Sequence, residues 1–85
     1  MKILYLKKFI KQYKKLSPET KKLAEEKEKI FRKNPFDSKL KTHKLHGDLK
    51  GFLSFSINNN VRIIFDFYEN KNVRFYAVGN HDIYY

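Results

Sequence analysis

Cysteine is absent from this 85-residue sequence, which excludes a disulfide framework and a thiolate metal site. The sequence also lacks a signal-peptide pattern and any apolar run of about 18 residues, which a membrane-spanning helix would need. We therefore expect a soluble, cytoplasmic protein with no membrane partner. Tryptophan is absent too, but eight Phe and six Tyr supply apolar area for the core of a single domain over residues 1–85.

Negative charge is scarce, because nine Asp and Glu stand against 19 Lys and Arg and leave a net charge of +10. A surplus of this size on a small protein indicates an anionic partner, with nucleic acid first and an acidic protein second. The first 50 residues hold 16 of the basic residues, whereas residues 51–85 are neutral overall. The alternative is that the lysines serve only solubility or thermal stability.

The N-terminal half carries the pattern of two helices after a short β-prone stretch at residues 2–5. From Leu6, apolar side chains recur at helical spacing and lysines occupy most of the remaining positions. Ser17 then offers a helix cap and Pro18 suits a first helical position, so a second helix is predicted to start at once. It should end before the Asn-Pro pair at 34–35, because the residue before a proline avoids the α conformation.

The C-terminal half changes to the pattern of strands. Residues 36–51 show no clean period, and we predict an irregular or partly extended connector there. Alternating and β-branched or aromatic residues predict strands at 52–57, 61–68 and 73–78, and the short turns between them indicate antiparallel pairing. The predicted fold class is α+β, with a short N-terminal strand and an α-helical hairpin packed on a small antiparallel β-sheet.

Alternation within the predicted strands assigns their side chains to two faces of the sheet. One face is apolar and should pack on the helices. The other face offers hydroxyl, carboxylate and guanidinium groups, from Ser54, Ser56, Arg62, Asp66 and Arg74. A guanidinium on such a face is commonly the cross-strand partner of an acid, so Arg62 and Asp66 are a candidate ion pair.

Together with His81 near the C-terminus and His43 and His46 in the connector, this face has the groups of a phosphodiester site. Cleavage of RNA without a metal needs a base for the 2′-hydroxyl proton, an acid for the departing 5′-oxygen and a cation on the phosphate. Imidazole, with an unperturbed pKa of about 6.5, suits both proton transfers, and Arg binds phosphate through paired hydrogen bonds. The alternative is that the histidines are ordinary surface residues and that Tyr84 and Tyr85 only cover the edge of the sheet.

A metal site is the weaker interpretation of the same histidines. The His43-x-x-His46 spacing lacks a third ligand at a recognisable interval. We therefore expect neither a metal nor a cofactor.

Two segments, "HKLHGDLKGFLSFSINNNVRIIFDF" (43–67) and "VGNHDIYY" (78–85), resemble the RelE/ParE superfamily of toxins, nearest the RelE and YafQ-like branch. The order of a strand, two helices and further strands is similar as well. The resemblance implies a RelE-like fold and a toxin of a type II toxin–antitoxin system. It implies a ribosome-dependent messenger RNA endoribonuclease that attacks the adjacent phosphate with the 2′-oxygen and needs no metal. The implied partners are the ribosome, messenger RNA and a cognate antitoxin with an acidic or amphipathic segment.

The same resemblance implies roles for individual residues. His81 matches a histidine that acts in proton transfer, and His43 matches a loop histidine of the YafQ-like branch. Arg62 matches the strand arginine that holds the scissile phosphate, and Tyr85 matches an aromatic residue that orients or stacks on the substrate. These four are the predicted catalytic residues. The predicted RNA- and phosphate-binding residues are Arg62, Arg74, Ser56, Lys50 and Lys44.

The sequence departs from the family pattern at two places. Ser56 stands where YafQ-like enzymes usually have a second histidine, and Asn60-Val61 stands where they have an Asp-Trp pair. Either His43 and His81 divide the acid and base roles, or catalysis depends on positioning and arginine, or activity is weak. The alternative functions are a ParE-like inhibitor of DNA gyrase, an inactive antitoxin-binding relative and a small nucleic-acid-binding module without chemistry.

Overall fold

Two α-helices and five β-strands account for more than half of residues 1–84, the part of the chain that the computed structural model describes. In chain order they are β1 (Ile3–Tyr5), α1 (Lys7–Lys14), α2 (Pro18–Lys33), β2 (His43–Lys44), β3 (Leu53–Ser56), β4 (Arg62–Tyr68) and β5 (Asn72–Gly79). Short 3₁₀ turns cover Ser38–Leu40, Gly47–Leu49 and His81–Tyr84. The predicted α+β class is confirmed. Within residues 1–84, no helix is long and apolar enough to cross a membrane.

The five strands form one mixed sheet in the order β1-β5-β4-β3-β2. The pairs β3–β4 and β4–β5 are antiparallel as predicted. The strand β2 is antiparallel to β3, and β1 runs parallel to β5, with Ile3 opposite Val73. The predicted N-terminal strand thus forms one edge of the sheet, and the long connection between β1 and β5 lets the chain return in the same direction. The connector, which was predicted to be irregular or partly extended, contributes the short strand β2, which pairs with β3.

The start of α2 follows from its first residues. Ser17 Oγ accepts a hydrogen bond from the backbone N–H of Thr20 at 3.1 Å, and Pro18 is the first helical residue. A cap of this kind contributes about 1 kcal/mol. The helix ends at Lys33, directly before the Asn-Pro pair, so both predicted boundaries of α2 are confirmed.

Phe31 of α2 occupies the centre of the core and has no exposed surface. Its ring stacks on that of Phe55 at a centroid distance of 4.8 Å and meets Phe65 and Phe75 edge-on at 4.9 and 5.5 Å. The strands β3, β4 and β5 thus each contribute one phenylalanine to the contact with α2. Removing a buried ring of this kind costs about 3–5 kcal/mol, so this cluster fixes the helix on the sheet.

The opposite face of the sheet is also partly covered. Ile64 and Ala77 lie on this face, and each is 3% exposed. A small hollow beside them is lined by Leu49 of the connector, by Phe52 directly before β3 and by Ile83 of the C-terminal turn. Two segments that are distant in sequence therefore meet on the polar side of the sheet.

Candidate active site

A hollow of about 430 Å³ lies where the connector, β4 and the C-terminal turn meet. Its lining residues are His43, Leu45, His46, Asp48, Leu49, Arg62, His81 and Tyr84. Three of the four predicted catalytic residues, His43, Arg62 and His81, therefore line one hollow although the sequence separates them widely. The fourth, Tyr85, lies outside the described residues.

Arg62 is held in place by Ser56 on the neighbouring strand. The two residues are directly opposite each other in the β3–β4 register, and Arg62 Nη1 donates a hydrogen bond to Ser56 Oγ at 2.8 Å. Ser56 is only 8% exposed, so this hydroxyl is a fixed part of the sheet. Ser56, at the position where the sequence resemblance implies a histidine, thus orients the guanidinium.

The predicted ion pair between Arg62 and Asp66 is wrong. The β4–β5 register places Arg74 opposite Asp66 and Gly79 opposite Arg62. Arg74 donates from Nε and Nη2 to the two Asp66 oxygens at 3.0 and 2.8 Å, and these hydrogen bonds raise the pKa of Arg74. Within residues 1–84, no carboxylate forms an ion pair with Arg62, so its charge remains available to an anion in the hollow.

His43 is positioned by β2, where it lies opposite Ser54 of β3. Its Nδ1 is 3.1 Å from the carbonyl oxygen of Lys41. A carbonyl only accepts hydrogen bonds, so the contact places a proton on Nδ1 and, of the two neutral tautomers, selects the one protonated there. In that tautomer Nε2 carries the free lone pair and is able to accept a proton.

His81 begins the C-terminal 3₁₀ turn, which is anchored at both ends. Asn80 Oδ1 accepts a hydrogen bond from the backbone N–H of Asp82 at 3.0 Å. At the other end, the Tyr84 hydroxyl lies 3.0 Å from Ser54 Oγ, and its ring centroid is 5.8 Å from that of His81. Tyr84 therefore fastens the turn to the sheet and forms part of the hollow beside the imidazole.

Gly79 permits the close return of this turn. A Cβ atom added at Gly79 would lie 2.7 Å from Cγ2 of Ile83, a distance that real side chains do not tolerate. The turn can pack against the end of β5 only because the residue there has no side chain. The position of His81 thus depends on this glycine.

Arg62 is the one predicted phosphate-binding residue among the described residues that line the hollow; Ser56 contacts it through Arg62, and the three other cations lie outside the lining. Arg74 is engaged by Asp66, and its guanidinium carbon lies 5.0 Å from the ring centroid of Tyr68. Lys44 and Lys50 are exposed on the connector, outside the lining. The structure therefore gathers Arg62 and Ser56 at the site and leaves these three cations away from it.

Three polar lining residues, His46, Asp48 and Tyr84, are not among the predicted catalytic or phosphate-binding residues, although the sequence analysis names His46 as a candidate for a phosphodiester site. His46 and Asp48 are brought in by the 3₁₀ turn Gly47–Leu49, whose first residue has a left-handed φ of 64°. The glycine at position 47 was the available signal for this turn. Within residues 1–84, no group of three or more His, Asp or Glu side chains is arranged to hold a metal ion.

Comparison with solved structures identifies several toxins with the same fold. YafQ from E. coli superposes with a TM-score of 0.80 at 21% identity, covering 98% of this chain and 96% of that one. A YoeB/ParE toxin from Agrobacterium tumefaciens gives 0.81 at 16% identity, covering 95% and 99%. The YoeB–YefM complex from Staphylococcus aureus gives 0.77 at 20% identity, covering 95% and 97%.

Sequence comparison decides the family. No curated protein matches the sequence significantly. The family model described as the YafQ bacterial toxin of type II toxin–antitoxin systems matches residues 1–84. The chain therefore belongs to the YafQ family of bacterial type II toxin–antitoxin toxins.

Proposed function

We propose that this toxin is an endoribonuclease that cleaves messenger RNA on the ribosome and so stops translation. The observation that carries the proposal is the arrangement of two imidazoles, His43 and His81, and one guanidinium, which has no carboxylate partner among residues 1–84, around the same hollow. Membership of a toxin family and the net charge of +10 agree with an RNA target.

The chain's own residues provide each requirement of the reaction. The 2′-oxygen forms a bond to phosphorus while its proton passes to one imidazole. The bond between phosphorus and the 5′-oxygen breaks, and that oxygen takes a proton from the second imidazole in its charged form. The products are a 2′,3′-cyclic phosphate and a 5′-hydroxyl, and no other reactant is needed.

Arg62 serves the phosphate rather than the proton transfers. Its remaining N–H groups donate to the nonbridging oxygens, where negative charge increases in the transition state. The hydrogen bond to Ser56 orients the guanidinium before substrate arrives. This division of roles accounts for a serine at a position where related enzymes use a histidine.

We further propose that an antitoxin neutralises the toxin. The YoeB toxin of Staphylococcus aureus has been solved in complex with YefM, and RelBE2 of Mycobacterium tuberculosis is a toxin–antitoxin complex. An antitoxin with an acidic or amphipathic segment would match the positive surface of this chain.

The test is cleavage of a defined message in a translating extract, with the cuts mapped by primer extension. Wild-type protein should cut within translated codons. Arg62→Ala should reduce the rate by about 10²–10³-fold, the usual effect of removing one transition-state donor. His81→Ala and His43→Ala should each reduce it by about 10²–10⁴-fold, the usual contribution of a general acid or base.

Lys22→Ala is the matched control for loss of positive charge, because Lys22 is exposed on α2 and does not line the hollow. It should cleave at close to the wild-type rate. Intact messages together with arrested DNA gyrase would reject the proposal in favour of a ParE-like toxin. Intact messages and normal gyrase would indicate an inactive relative.

A further inference from the structure

A second hollow, of about 190 Å³, is also lined by Arg62 and by its hydrogen-bond partner Ser56. Its lining residues are Lys27, Lys39, Lys41, Ser56, Ile57, Asn58, Asn59 and Arg62. We call this hollow the lysine pocket. Arg62 lines both the lysine pocket and the hollow that holds the histidines, so the two are adjacent.

The charged side chains of residues 1–84 that line the lysine pocket are all positive. Lys27, Lys39, Lys41 and Arg62 contribute four cations, and no Asp or Glu of the described residues is in the lining. Four like charges around so small a volume repel one another, and a bound anion would remove that repulsion. The pocket therefore has the electrostatic character of an anion site.

The two loop lysines project from an anchored segment. Asp37 Oδ1 accepts a hydrogen bond from the Lys39 backbone N–H at 2.8 Å, and Leu40 is fully buried. Lys27 Nζ reaches the carbonyl oxygen of Lys39 at 3.5 Å, which joins α2 to this segment. Lys41 adopts a left-handed backbone with a φ of 53° and closes the turn. The lysine pocket is thus built on fixed backbone.

The same segment connects the lysine pocket to the candidate catalytic groups. The carbonyl oxygen of Lys41 contacts His43 Nδ1 at 3.1 Å, while the Lys41 side chain lines the lysine pocket. Asn58, in the turn between β3 and β4, accepts hydrogen bonds at Oδ1 from the backbone N–H groups of Asn60 and Val61, both at 2.8 Å. These contacts orient the amide, so that Nδ2 of Asn58 is the group left to donate.

We propose that the lysine pocket binds a phosphate of the RNA strand next to the linkage that Arg62 holds. This assignment rests on the proposed function. Two adjacent anion sites with a shared arginine fit a ligand that repeats one negative charge per nucleotide better than a single free anion. The lysine pocket therefore holds the substrate strand beside the cut and has no part in the proton transfers.

The first experiment measures binding of a short single-stranded RNA, made uncleavable by 2′-O-methyl groups, at a series of KCl concentrations. For single strands, the slope of the logarithm of the association constant against the logarithm of the salt concentration changes by about 0.7 for each phosphate contact. The double variant Lys39→Gln with Lys41→Gln, which we call the pocket variant, should make the slope less steep by about that amount. Both substitutions keep the Cβ atom and the backbone contacts of the segment.

Lys2→Gln with Lys71→Gln is the matched control, since it removes the same charge from exposed positions outside the lysine pocket. Lys71 lies in the turn at the other end of β4 from Asn58. The control should keep the wild-type slope, and circular dichroism should show both double variants folded. Equal slopes for the two double variants would overturn the assignment.

The second experiment identifies the source of the phosphate. A photo-crosslinking residue at position 39 should react with the message within a few nucleotides of the cut on programmed ribosomes. Cross-links to ribosomal RNA alone would overturn the assignment to the substrate strand.

The two proposals fail in different ways. If wild-type protein does not cleave messages but RNA binding by the pocket variant still depends less steeply on salt, the endoribonuclease proposal fails and the phosphate site stands. If wild-type protein cleaves messages but the slope does not change in the pocket variant, the phosphate site fails.

Discussion

Ser56 Oγ accepts a hydrogen bond from Arg62 Nη1 at 2.8 Å, across directly opposed positions of β3 and β4. This contact connects the main departure from the family pattern to the site. A hydroxyl at position 56 is no base near neutral pH, but it selects one orientation of the guanidinium. The consequence is that position 56 acts through Arg62.

Ser56→Ala should therefore lower cleavage without removing any group that transfers a proton. A hydrogen bond to a charged group contributes about 1.5–3 kcal/mol, so the rate at saturating substrate should fall by about 10- to 100-fold. Ser56→Thr keeps the hydroxyl and should recover most of the rate. An alanine variant with the wild-type rate, measured on the same message, would contradict the positioning role.

Gly79→Ala should displace the C-terminal turn. The new methyl group would lie 2.7 Å from Ile83 Cγ2, so the turn that carries His81 must move. Overpacking of this kind costs about 1–3 kcal/mol. We expect a lower melting temperature and a larger loss of cleavage, because catalysis depends on the placement of the imidazole.

A second substitution tests this explanation. Ile83→Ala removes the clashing atom, so Gly79→Ala with Ile83→Ala should cleave faster than Gly79→Ala alone. The single Ile83→Ala variant is the reference for the packing that is lost. If the double variant is no faster than Gly79→Ala alone, the clash is not the cause.

Local signals in the sequence were sufficient for the helices. Ser17 and Pro18 mark the start of α2, and the helical spacing that ends at Phe31 supplies the residue around which the core packs. Each of these signals lies within a few residues of the structure that it specifies. The parallel pairing of Ile3 with Val73 has no such signal, because it joins segments seventy residues apart.

Alternation predicted which side chains share the polar face but not where each lies along it. Arg62 and Arg74 were equal candidates by this criterion. The register decides between them, since it sets Asp66 opposite Arg74 and leaves Arg62 beside the histidines. The two lysines of the anchored connector segment, Lys39 and Lys41, were missed because a 3₁₀ turn has no period that a sequence pattern reveals.

Stability should fall at high pH because three phenols are partly shielded from water in the folded protein. Burial raises the pKa of Tyr5, Tyr13 and Tyr76 above the ordinary value of 10.0, and Glu28 raises that of Tyr5 further. Above pH 10 the unfolded chain loses these protons first, so the folded state binds more protons and its stability decreases as pH rises. Below pH 10 this contribution is fully present.

Denaturant unfolding at a series of pH values checks this expectation. The free energy of unfolding should decline above pH 10 in the wild type. Tyr5→Phe removes one of the shifted groups and should make the decline less steep. A decline of equal steepness in the two proteins would mean that Tyr5 is not a source of it.

Tyr84 and Ser54 offer the sharpest test of how the C-terminal turn is held, because their hydroxyls lie 3.0 Å apart and Ser54 is fully buried. Tyr84→Phe leaves the Ser54 hydroxyl without this partner, which costs about 1–3 kcal/mol of folding free energy. Removing both hydroxyls, in Tyr84→Phe with Ser54→Ala, should cost less than the sum of the single changes.

Cleavage separates anchoring from a direct catalytic role of the Tyr84 hydroxyl. If the hydroxyl only fastens the turn, Ser54→Ala and Tyr84→Phe should lower cleavage by similar factors, and the double variant should be no worse than either. A loss of cleavage in Tyr84→Phe that far exceeds the loss in Ser54→Ala would instead place the phenol on the substrate. The ring, which packs beside His81 at a centroid distance of 5.8 Å, is kept in all these variants, so the comparison isolates the hydroxyl.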